Sequence, residues 1–471
     1  MKALNELSVQ DIQVALAKKK LSALELARFY IGKIAELDSA GPKLNTLLEL
    51  NPDALDIAES LDREYAQQGP RGPLHGVPVL IKGNIDTGDK MRTSAGSRAL
   101  ENNFAPSDAF LVKMLRESGA VILGKANLTE LANFLANGMR GGYSSLGGQV
   151  VNPLGAGLEV GGSSSGSAAA VSAGFCTAAV GTETNGSILH PARRCGVIGI
   201  KPTKGLVSRT GIVPISSSFD TAGPLARRVQ DAAMLLWSMI GDDPDDPATR
   251  FTGDIPMPAP SYFWDASLQG KKIAVDTLAA ENASPEDAKL FEELLAAMRD
   301  EGAELYDVKL PAADREAVTA VEVYEIKRCM EAYLDGHPAA GLRTVSDLLR
   351  FNEEHEGCLK YGQERLAEAD RVGSGRLNEA EYLRALDVIR ASRAEIDDAL
   401  AGGAIAIAMC GHNNVPPASG YPAISLPSGR LPDGQAAALN LIGTGFSDFE
   451  LCRAAYVLER AGALYKPPFA Y

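Results

Sequence analysis

Residues 161–187 read GGSSSGSAAAVSAGFCTAAVGTETNGS and hold two glycine-flanked serine clusters, one at each end of a short apolar segment. A buried helix is predicted between them, over Ser167–Phe175. Glycine permits positive φ and close approach to a ligand, so serines between glycines can lie beside free N–H groups. Such groups can stabilise an oxyanion. The stretch therefore predicts a serine hydrolase site, within a Gly/Ser-rich functional core at 141–223 that is too long to be a structureless loop.

Segments on the N-terminal side alternate between strand and helix patterns. A short buried strand is predicted at Val77–Lys82, and it ends on an inward-facing lysine. A helix at Asp108–Ser118, a strand at Ala120–Leu123 and a helix at Leu128–Phe134 follow. This alternation predicts an α/β fold with layers of helix around a sheet.

The rest of the chain predicts an N-terminal helical segment that wraps around the core, a helical insertion, and a C-terminal segment that rejoins the core. Helices are expected across residues 1–70, and the catalytic core across 73–225. Residues 280–400 predict a helical insertion, and 404–471 predict short apolar strands and a final helix. The helices expected in the insertion are Ala288–Asp300, Asp314–Leu334, Val345–Ala369 and Asn378–Leu400. We expect a single domain over residues 1–471.

Composition limits the classes of function. The chain has 46 basic and 60 acidic residues, a formal net charge of −14, and no basic run beyond Lys18–Lys20. Nucleic acid binding is disfavoured, because phosphates require clustered Lys and Arg. The six cysteines are scattered without C-x-x-C spacing, which disfavours structural zinc and a disulfide framework. Charges throughout the first thirty residues, and no apolar run of membrane length, predict a cytoplasmic protein that does not bind membranes.

Three kinds of site compete for the serine clusters. Ser164 is the central residue of a G-x-S-x-G pattern, which in an α/β-hydrolase would pair with a late histidine such as His412. Lys82 could instead be the base of a serine–lysine hydrolase, provided that its surroundings lower its pKa and make the neutral amine available. A glycine-rich loop that binds phosphate, or only packs tightly, is the third possibility. The five histidines lack metal-binding spacing, so no metal site is predicted.

Six ordered motifs resemble the amidase signature family of serine hydrolases. The motifs are Gly76–Thr87, Gly161–Ser167, Gly181–Ile188, Cys195–Thr203, Asp220–Pro224 and Gly420–Ile424. They cover nearly the whole chain. The resemblance implies an α/β/α layered fold with a central mixed, twisted sheet surrounded by helices, and a reaction that needs no metal or cofactor.

The resemblance also implies a role for each site residue. Ser187 would be the nucleophile, Ser163 a bridging serine with a cis peptide bond, and Lys82 the base. The oxyanion hole would be formed by the backbone N–H groups of Thr184, Asn185, Gly186 and Ser187. Ser164 would support Lys82 by hydrogen bonding. The implied reaction is amide hydrolysis through an acyl-enzyme, which releases a carboxylic acid and either ammonia or an amine.

Within the family, the segments Tyr324–Lys327 and Asp347–Asn352 are most similar to the peptide amidase branch, which cleaves C-terminal carboxamides of peptides. Small amides or C-terminal peptide amides are therefore the expected substrates. The chain departs from the family pattern at Gly83, where Asp is common, at Asn185, where Gly is common, and over Gln435–Leu439. Two alternatives stay open: the amidase subunit of a glutamine-dependent tRNA amidotransferase, and a non-catalytic binding protein with the amidase fold.

Overall fold

The computed structural model describes residues 3–250, 252 and 260–469. Eleven of the strands in these residues form one sheet, and two form a small antiparallel ladder. In chain order the strands are β1 (Leu47–Leu50), β2 (Pro78–Lys82), β3 (Val121–Ala126), β4 (Tyr143–Ser144), β5 (Gly148–Gln149), β6 (Ala178–Glu183), β7 (Ile198–Lys201), β8 (Thr221–Ala226), β9 (Lys272–Asp276), β10 (Glu304–Val308), β11 (Ala404–Cys410), β12 (Ala423–Arg430) and β13 (Ala436–Ile442). The large sheet has the order β1-β3-β2-β6-β8-β7-β12-β13-β11-β9-β10.

The sheet mixes parallel and antiparallel pairs. β2 runs parallel to β3 and β6, and β9 runs parallel to β10 and β11. The other neighbours pair antiparallel. Because β2, β3 and β6 are parallel, their carboxyl ends meet at one edge of the sheet, the usual place for a site in such folds. Lys82 and Glu183 are the last residues of β2 and β6, and they lie at that edge.

Helices surround the sheet. In chain order they are α1 (Val9–Ala17), α2 (Ala23–Ile34), α3 (Ala54–Gln68), α4 (Phe110–Glu117), α5 (Glu130–Asn133), α6 (Ser165–Ala173), α7 (Leu189–Cys195), α8 (Val229–Trp237), α9 (Thr277–Glu281), α10 (Pro285–Asp300), α11 (Arg315–Asp335), α12 (Val345–Glu354), α13 (Glu364–Val372), α14 (Ala380–Leu400), α15 (Val415–Ser419) and α16 (Asp448–Arg460). A π-helical turn at Ala35–Ser39 and short 3-10 turns, among them Arg98–Leu100 and Pro338–Ala340, join some of them.

Alternate residues of β11 show how the layers are arranged. Ala406 and Ala408 belong to a hydrophobic core shared with α10 and α16. Ile407 and Met409 belong to a second core, shared with α11 and α14. Because successive side chains of a strand point to opposite faces, these helix pairs lie on opposite sides of the sheet. The predicted α/β class with helices on both faces of a mixed sheet is confirmed.

The helix between the serine clusters is α6, and all nine of its residues are buried. It contains only Ser, Gly, Ala and Val, so neighbouring backbone can approach closely. A Cβ added to Gly166 would lie 2.3 Å from the carbonyl oxygens of both Thr46 and Asn127, which leaves room for glycine alone. Gly174 ends the helix in the left-handed conformation that favours glycine. The predicted helix is confirmed, beginning and ending two residues earlier than expected.

The helix predicted at Leu128–Phe134 is wrong. Only α5 occupies this stretch, and Leu131 and Ala132 within it have φ of 48° and 53°. The chain therefore makes a left-handed turn here. The N–H of Leu131 donates to the carbonyl of Ala95 at 2.9 Å, so a contact distant in sequence replaces the local helical bond. Apolar spacing alone could not reveal this tertiary preference.

Three further boundaries differ from the prediction. The single helix expected at Val345–Ala369 is two helices, α12 and α13, and the connection contains Gly357 and Gly362, both with positive φ. The N-terminal segment expected to be helical also contributes β1, which pairs with β3 at one end of the sheet. The segment 280–400 contains β10 as well as helices, and β10 forms the opposite end. Both strands are only partly buried, so they lack the continuous apolar run that marks β2.

Candidate active site

Lys82 ends β2 with its side chain inside the protein. The residue is completely buried, and its Nζ lies 2.8 Å from Oγ of Ser163. Nζ also lies 2.8 Å from Oγ1 and 3.2 Å from the carbonyl oxygen of Thr182, on the neighbouring parallel strand β6. A neutral amine has two N–H bonds and one lone pair. It could therefore donate to the two oxygens of Thr182 and accept the hydroxyl proton of Ser163.

The surroundings of Lys82 make the neutral amine available. Burial lowers the pKa of Lys82 to about 7, although the negative charges of Asp220 and Glu183 oppose this shift. Burial has this effect because removing an ammonium from water disfavours its charged form. At neutral pH a large fraction of Lys82 can therefore take up a proton.

Ser163 and the glycine before it lie close to Thr129. The peptide bond between Gly162 and Ser163 is cis. The carbonyl of Ser163 accepts a hydrogen bond from the N–H of Thr129 at 3.0 Å. A Cβ added to Gly162 would lie 2.4 Å from Oγ1 of the same threonine. The glycine before Ser163 is therefore required for the chain to lie this close to Thr129.

Within the described residues no hydrogen bond joins Ser164 to Lys82, so that part of the prediction is corrected. Its hydroxyl donates to the carbonyl of Thr182 at 3.0 Å and accepts from the N–H of Thr182 at 3.2 Å. Thr182 in turn binds Lys82, so Ser164 supports the lysine through one intermediate residue. The nucleophile-elbow alternative is disfavoured too. The Ser164 hydroxyl is hydrogen-bonded to Thr182 of β6, and His412 lies beside Gly186.

Ser187 lies beside the first serine cluster. Its carbonyl accepts a hydrogen bond from the N–H of Ser164 at 3.1 Å, which joins the two glycine-flanked segments. Ser187 is 7% exposed and lines a cleft. Within the described residues, no hydrogen bond joins the hydroxyls of Ser163 and Ser187. Hydrogen bonds of this kind are often long in structures without substrate and shorten in the complex.

The turn at 184–187 presents backbone N–H groups to the same cleft. Among the residues that the structure describes, none accepts a hydrogen bond from the N–H of Asn185 or Ser187. Gly186 has a φ of +86°, and a Cβ there would lie 2.5 Å from Nε2 of His412. Two donors without a partner beside a serine hydroxyl can bind a developing oxyanion.

Two buried carboxylates hold this turn. Oε2 of Glu183 accepts from the N–H groups of Ile188 and Leu189 at 2.6 and 3.0 Å, where α7 begins. The hydroxyl of Thr184 donates to Asp220, which also accepts from the backbone of the 215–216 segment. Burial raises the pKa of both carboxyls. These contacts fix the positions of the N–H groups relative to Ser187.

The cleft at Ser187 has a volume of about 260 Å³. One wall is the turn with Thr184 and Asn185, and a second is the segment 132–134, at the end of the left-handed turn. The third comes from the helical part of the chain. It consists of Arg315, Thr319 and Glu322 of α11 and Arg365 of α13, with Ile215 and Asn137 completing the lining.

The structure shows the surroundings of each departure from the family pattern. A Cβ added to Gly83 would lie 2.6 Å from Cδ1 of Leu48, so this chain has no room for a carboxylate there without rearrangement. Asn185 is exposed and lines the cleft. Gln435 donates to the carbonyls of Glu159 and Arg194 at 3.1 and 2.9 Å, and so connects β13 to the loop before the first serine cluster.

Sequence reasoning missed several residues of the site. Thr182 lies in the Gly181–Ile188 motif, yet the motif gives it no role. Asn84 lies in the Gly76–Thr87 motif, which likewise gives it no role, yet its Nδ2 donates to Oγ1 of Thr182 at 3.1 Å. The cleft residues of α11 and α13 carry no recognisable signal apart from one: Arg315, Thr319 and Glu322 follow the i, i+4, i+7 spacing of one helix face.

The described part of the chain has no group of three or more His, Cys, Asp or Glu side chains that could hold a metal ion. Within residues 3–250, 252 and 260–469, no helix combines the length and apolar character needed to span a membrane. The six cysteines are free, and five of them are buried.

Comparison with known proteins identifies the family. The sequence profile of the Amidase family matches residues 25–407. A probable amidase of Arabidopsis thaliana is 36% identical over 484 residues, which cover 99% of this chain and 92% of the relative. A glutamyl-tRNA(Gln) amidotransferase subunit from Geobacter metallireducens is 32% identical over 492 residues, covering 97% and 98% of the two chains.

The crystal structure of native peptide amidase from Stenotrophomonas maltophilia is similar in both sequence and fold. It superposes with a TM-score of 0.91 at 41% identity, over 98% of this chain and 99% of the peptide amidase. The predicted resemblance is therefore confirmed, including its peptide amidase branch. Together with the serine clusters and the buried lysine, these matches establish that the chain belongs to the amidase family and is an amide hydrolase.

Proposed function

We propose that this amidase uses Ser187 as nucleophile, Ser163 as proton relay and Lys82 as base. The observation that carries the proposal is the 2.8 Å separation of Lys82 Nζ and Ser163 Oγ, in a site where burial lowers the pKa of Lys82 to about 7. A serine hydroxyl is a weak nucleophile unless a neighbouring base accepts its proton. Neutral Lys82 meets that requirement without a metal or cofactor.

The reaction would proceed in two halves. Ser187 attacks the amide carbonyl while its proton passes to Ser163, and the proton of Ser163 passes to Lys82. The N–H groups of Thr184, Asn185, Gly186 and Ser187 are the proposed donors to the oxyanion. When the tetrahedral intermediate breaks down, the relay returns the proton to the leaving nitrogen. Water then attacks the acyl ester on Ser187 by the same path and releases the carboxylic acid.

The substrates proposed are small amides or C-terminal amides of peptides. The 41% identity with the peptide amidase of Stenotrophomonas maltophilia over nearly the full length supports a peptide amide. The cleft of about 260 Å³ beside Ser187 has room for about one residue and its carboxamide. With a primary amide the products are ammonia and a free carboxylate.

The experiment compares two serine variants. S187A is expected to lower ammonia release from a peptide amide by about 10³-fold or more, because every step needs that oxygen. S164A removes a hydroxyl of the same type one residue from the relay. It should retain measurable activity, since Ser164 acts on Lys82 only through Thr182. Full activity of S187A together with loss of activity in S164A would overturn the assignment.

A second candidate function follows from the amidotransferase relative. The match to the Geobacter metallireducens protein covers 97% of this chain at 32% identity. In that case the chain would copurify with a partner and use glutamine as its amide. Hydrolysis of peptide amides by the purified chain alone, with no gain from glutamine, would exclude it. Covalent labelling of Ser187 by a fluorophosphonate would exclude a non-catalytic binding protein.

A further inference from the structure

The wall of the cleft formed by α11 and α13 contains an ion pair between a buried carboxylate and a half-buried guanidinium. Glu322 is 3% exposed, and its Oε2 accepts a hydrogen bond from the guanidinium of Arg365. Both residues line the same cleft of about 260 Å³ as Ser187. Because Ser187 and Glu322 line one cleft, an acyl group bound at Ser187 would occupy the same cavity as the Glu322 carboxyl.

Arg365 is itself fixed in place. Its guanidinium lies 4.3 Å from the ring centroid of Phe134, and its Nη1 donates to the carbonyl of Asn133 at 3.4 Å. These two residues are part of the second wall of the cleft. The carboxylate of Glu322 is therefore held in one orientation before any substrate arrives, which reduces the entropy lost on binding.

One oxygen of this carboxylate has no protein partner. Within the described residues, Oε2 of Glu322 is bound to Arg365, while Oε1 accepts no hydrogen bond. An ionised carboxylate accepts hydrogen bonds and donates none. Because Arg365 already balances its charge, the free oxygen suits an uncharged N–H donor. The closest such donor in a peptide amide is the backbone N–H of the terminal residue, adjacent to the carbonyl that Ser187 attacks.

We propose that Glu322 is a specificity-determining residue that accepts the backbone N–H on the acyl side of the scissile amide. This inference rests on the proposed function of the same cleft. It explains how an N-acylated amino acid amide would be distinguished from a simple carboxamide of the same size. Arg365 is the positioning residue: its hydrogen bond orients the Glu322 carboxyl, and its positive charge favours the carboxylate form that burial disfavours.

The test uses two substrates that differ in one group. N-acetyl-L-alaninamide has the N–H, and O-acetyl-L-lactamide has an ester oxygen in its place. Ammonia release reports cleavage of the amide in both. We expect the wild type to favour the N–H substrate by about tenfold or more in kcat/KM, the usual size of a charge-assisted hydrogen bond.

Three variants separate recognition from folding. In E322Q the amide oxygen should face Arg365, which turns the NH₂ group into the cleft, so the preference for N–H should fall towards one. E322M/R365M removes both charges at similar volume, and should lose the preference without leaving a buried charge unpaired. E325Q changes another buried carboxyl of α11, one bound to Ser216 and Ser218 outside the cleft, and should keep the wild-type ratio.

Binding measurements distinguish failure of this inference from failure of the proposed function. In the S187A background, calorimetry should give tighter binding of N-acetyl-L-alaninamide than of O-acetyl-L-lactamide, and E322Q should remove the difference. If the wild type releases no ammonia from either compound, the proposed function fails while this binding ratio still tests Glu322. An unchanged ratio in both E322Q and E322M/R365M overturns the inference.

Discussion

Two buried lysines lie at the ends of adjacent parallel strands, and their surroundings differ. Lys82 ends β2, and Lys125 is the next-to-last residue of β3; neither is exposed. Nζ of Lys82 contacts the hydroxyls of Ser163 and Thr182, each at 2.8 Å. Nζ of Lys125 contacts the carbonyl of Ile85 and, at 3.1 Å, the hydroxyl of Thr93.

Burial alone does not make a lysine a base. Burial lowers the pKa of both, to about 7 for Lys82 and about 8 for Lys125. Only Lys82 contacts a serine of the glycine-flanked clusters. Lys125 instead holds the 85–93 segment, near the negative charge of Asp86. Because their partners differ, we expect Lys82 to take part in the reaction and Lys125 to stabilise the fold.

The largest expected effect comes from replacing each lysine with methionine. K82M should lower kcat by about 10³-fold or more, because the relay has no acceptor for the proton. K125M should keep most activity and lose about 1 to 3 kcal/mol of unfolding free energy, because the carbonyl of Ile85 loses its charged donor and keeps the hydroxyl of Thr93, at 3.4 Å. Ammonia release and urea denaturation measure the two quantities. Similar losses of kcat in K82M and K125M would contradict the assignment of Lys82, and not Lys125, as the base.

The second prediction concerns pH. Lys82 must be neutral to accept a proton, and it is protonated below its pKa of about 7. Activity on a simple amide should therefore rise with pH and level off above about 8, with about a hundredfold loss at pH 5. A simple amide avoids any contribution from Glu322, whose pKa burial raises to about 7.

The matched control is the pH profile of K125M. Since Lys125 makes no hydrogen bond to these serines within the part of the chain that the structure describes, its removal should leave the midpoint unchanged. A profile that is flat between pH 5 and 8 in the wild type would exclude Lys82 as the base. A midpoint that moves in K125M would show that the lysines titrate as a coupled pair.

The third prediction concerns the threonines that bind each lysine. T182V removes the Oγ1 acceptor of Lys82, and should lower kcat about tenfold because the amine is less well oriented. It should also move the pH profile towards lower pH, since an acceptor stabilises the ammonium form. T93V makes the same change beside Lys125, and its kcat and profile should match the wild type. Equal effects in the two variants would contradict this expectation.

The smallest expected effect is at the glycine between the two strand ends. Gly83 follows Lys82, and its N–H donates to the carbonyl of Ala126 at 2.9 Å. In G83A the new Cβ would lie 2.6 Å from Cδ1 of Leu48, a flexible side-chain end that can shift. We expect a loss of about 1 kcal/mol in unfolding free energy and an unchanged pH profile. A shifted profile would show that the packing here tunes Lys82.

Much of the architecture could be predicted because it follows from local patterns. The buried strand ending at Lys82 and the small-residue helix between the serine clusters have short, repeating signals. The left-handed turn at Leu131 could not be predicted, because a hydrogen bond to Ala95 decides it. β1 and β10 escape prediction for a similar reason, since short strands at the ends of a sheet depend on their neighbours.

The site could be predicted less completely than the fold. Lys82, Ser163 and Ser187 follow from the family resemblance, and the structure brings Lys82 and Ser163 into contact. The resemblance implies a hydrogen bond from Ser164 to Lys82, whereas the hydroxyl of Ser164 binds Thr182. The orientation of a hydroxyl depends on the nearest acceptor in three dimensions, and the sequence does not contain that information.

The sequence by itself determined the α/β class, the paired serine clusters and the lysine at a strand end, because periodicity and glycine placement act over a few residues. Only the tertiary structure decided which lysine meets a serine and which side chains face it across the cleft. Glu322 and Arg365 lie more than a hundred residues from Ser187 in the sequence, yet they line the same cavity. Such neighbours arise from the packing of helices on the sheet, where contacts distant in the chain outweigh local preference.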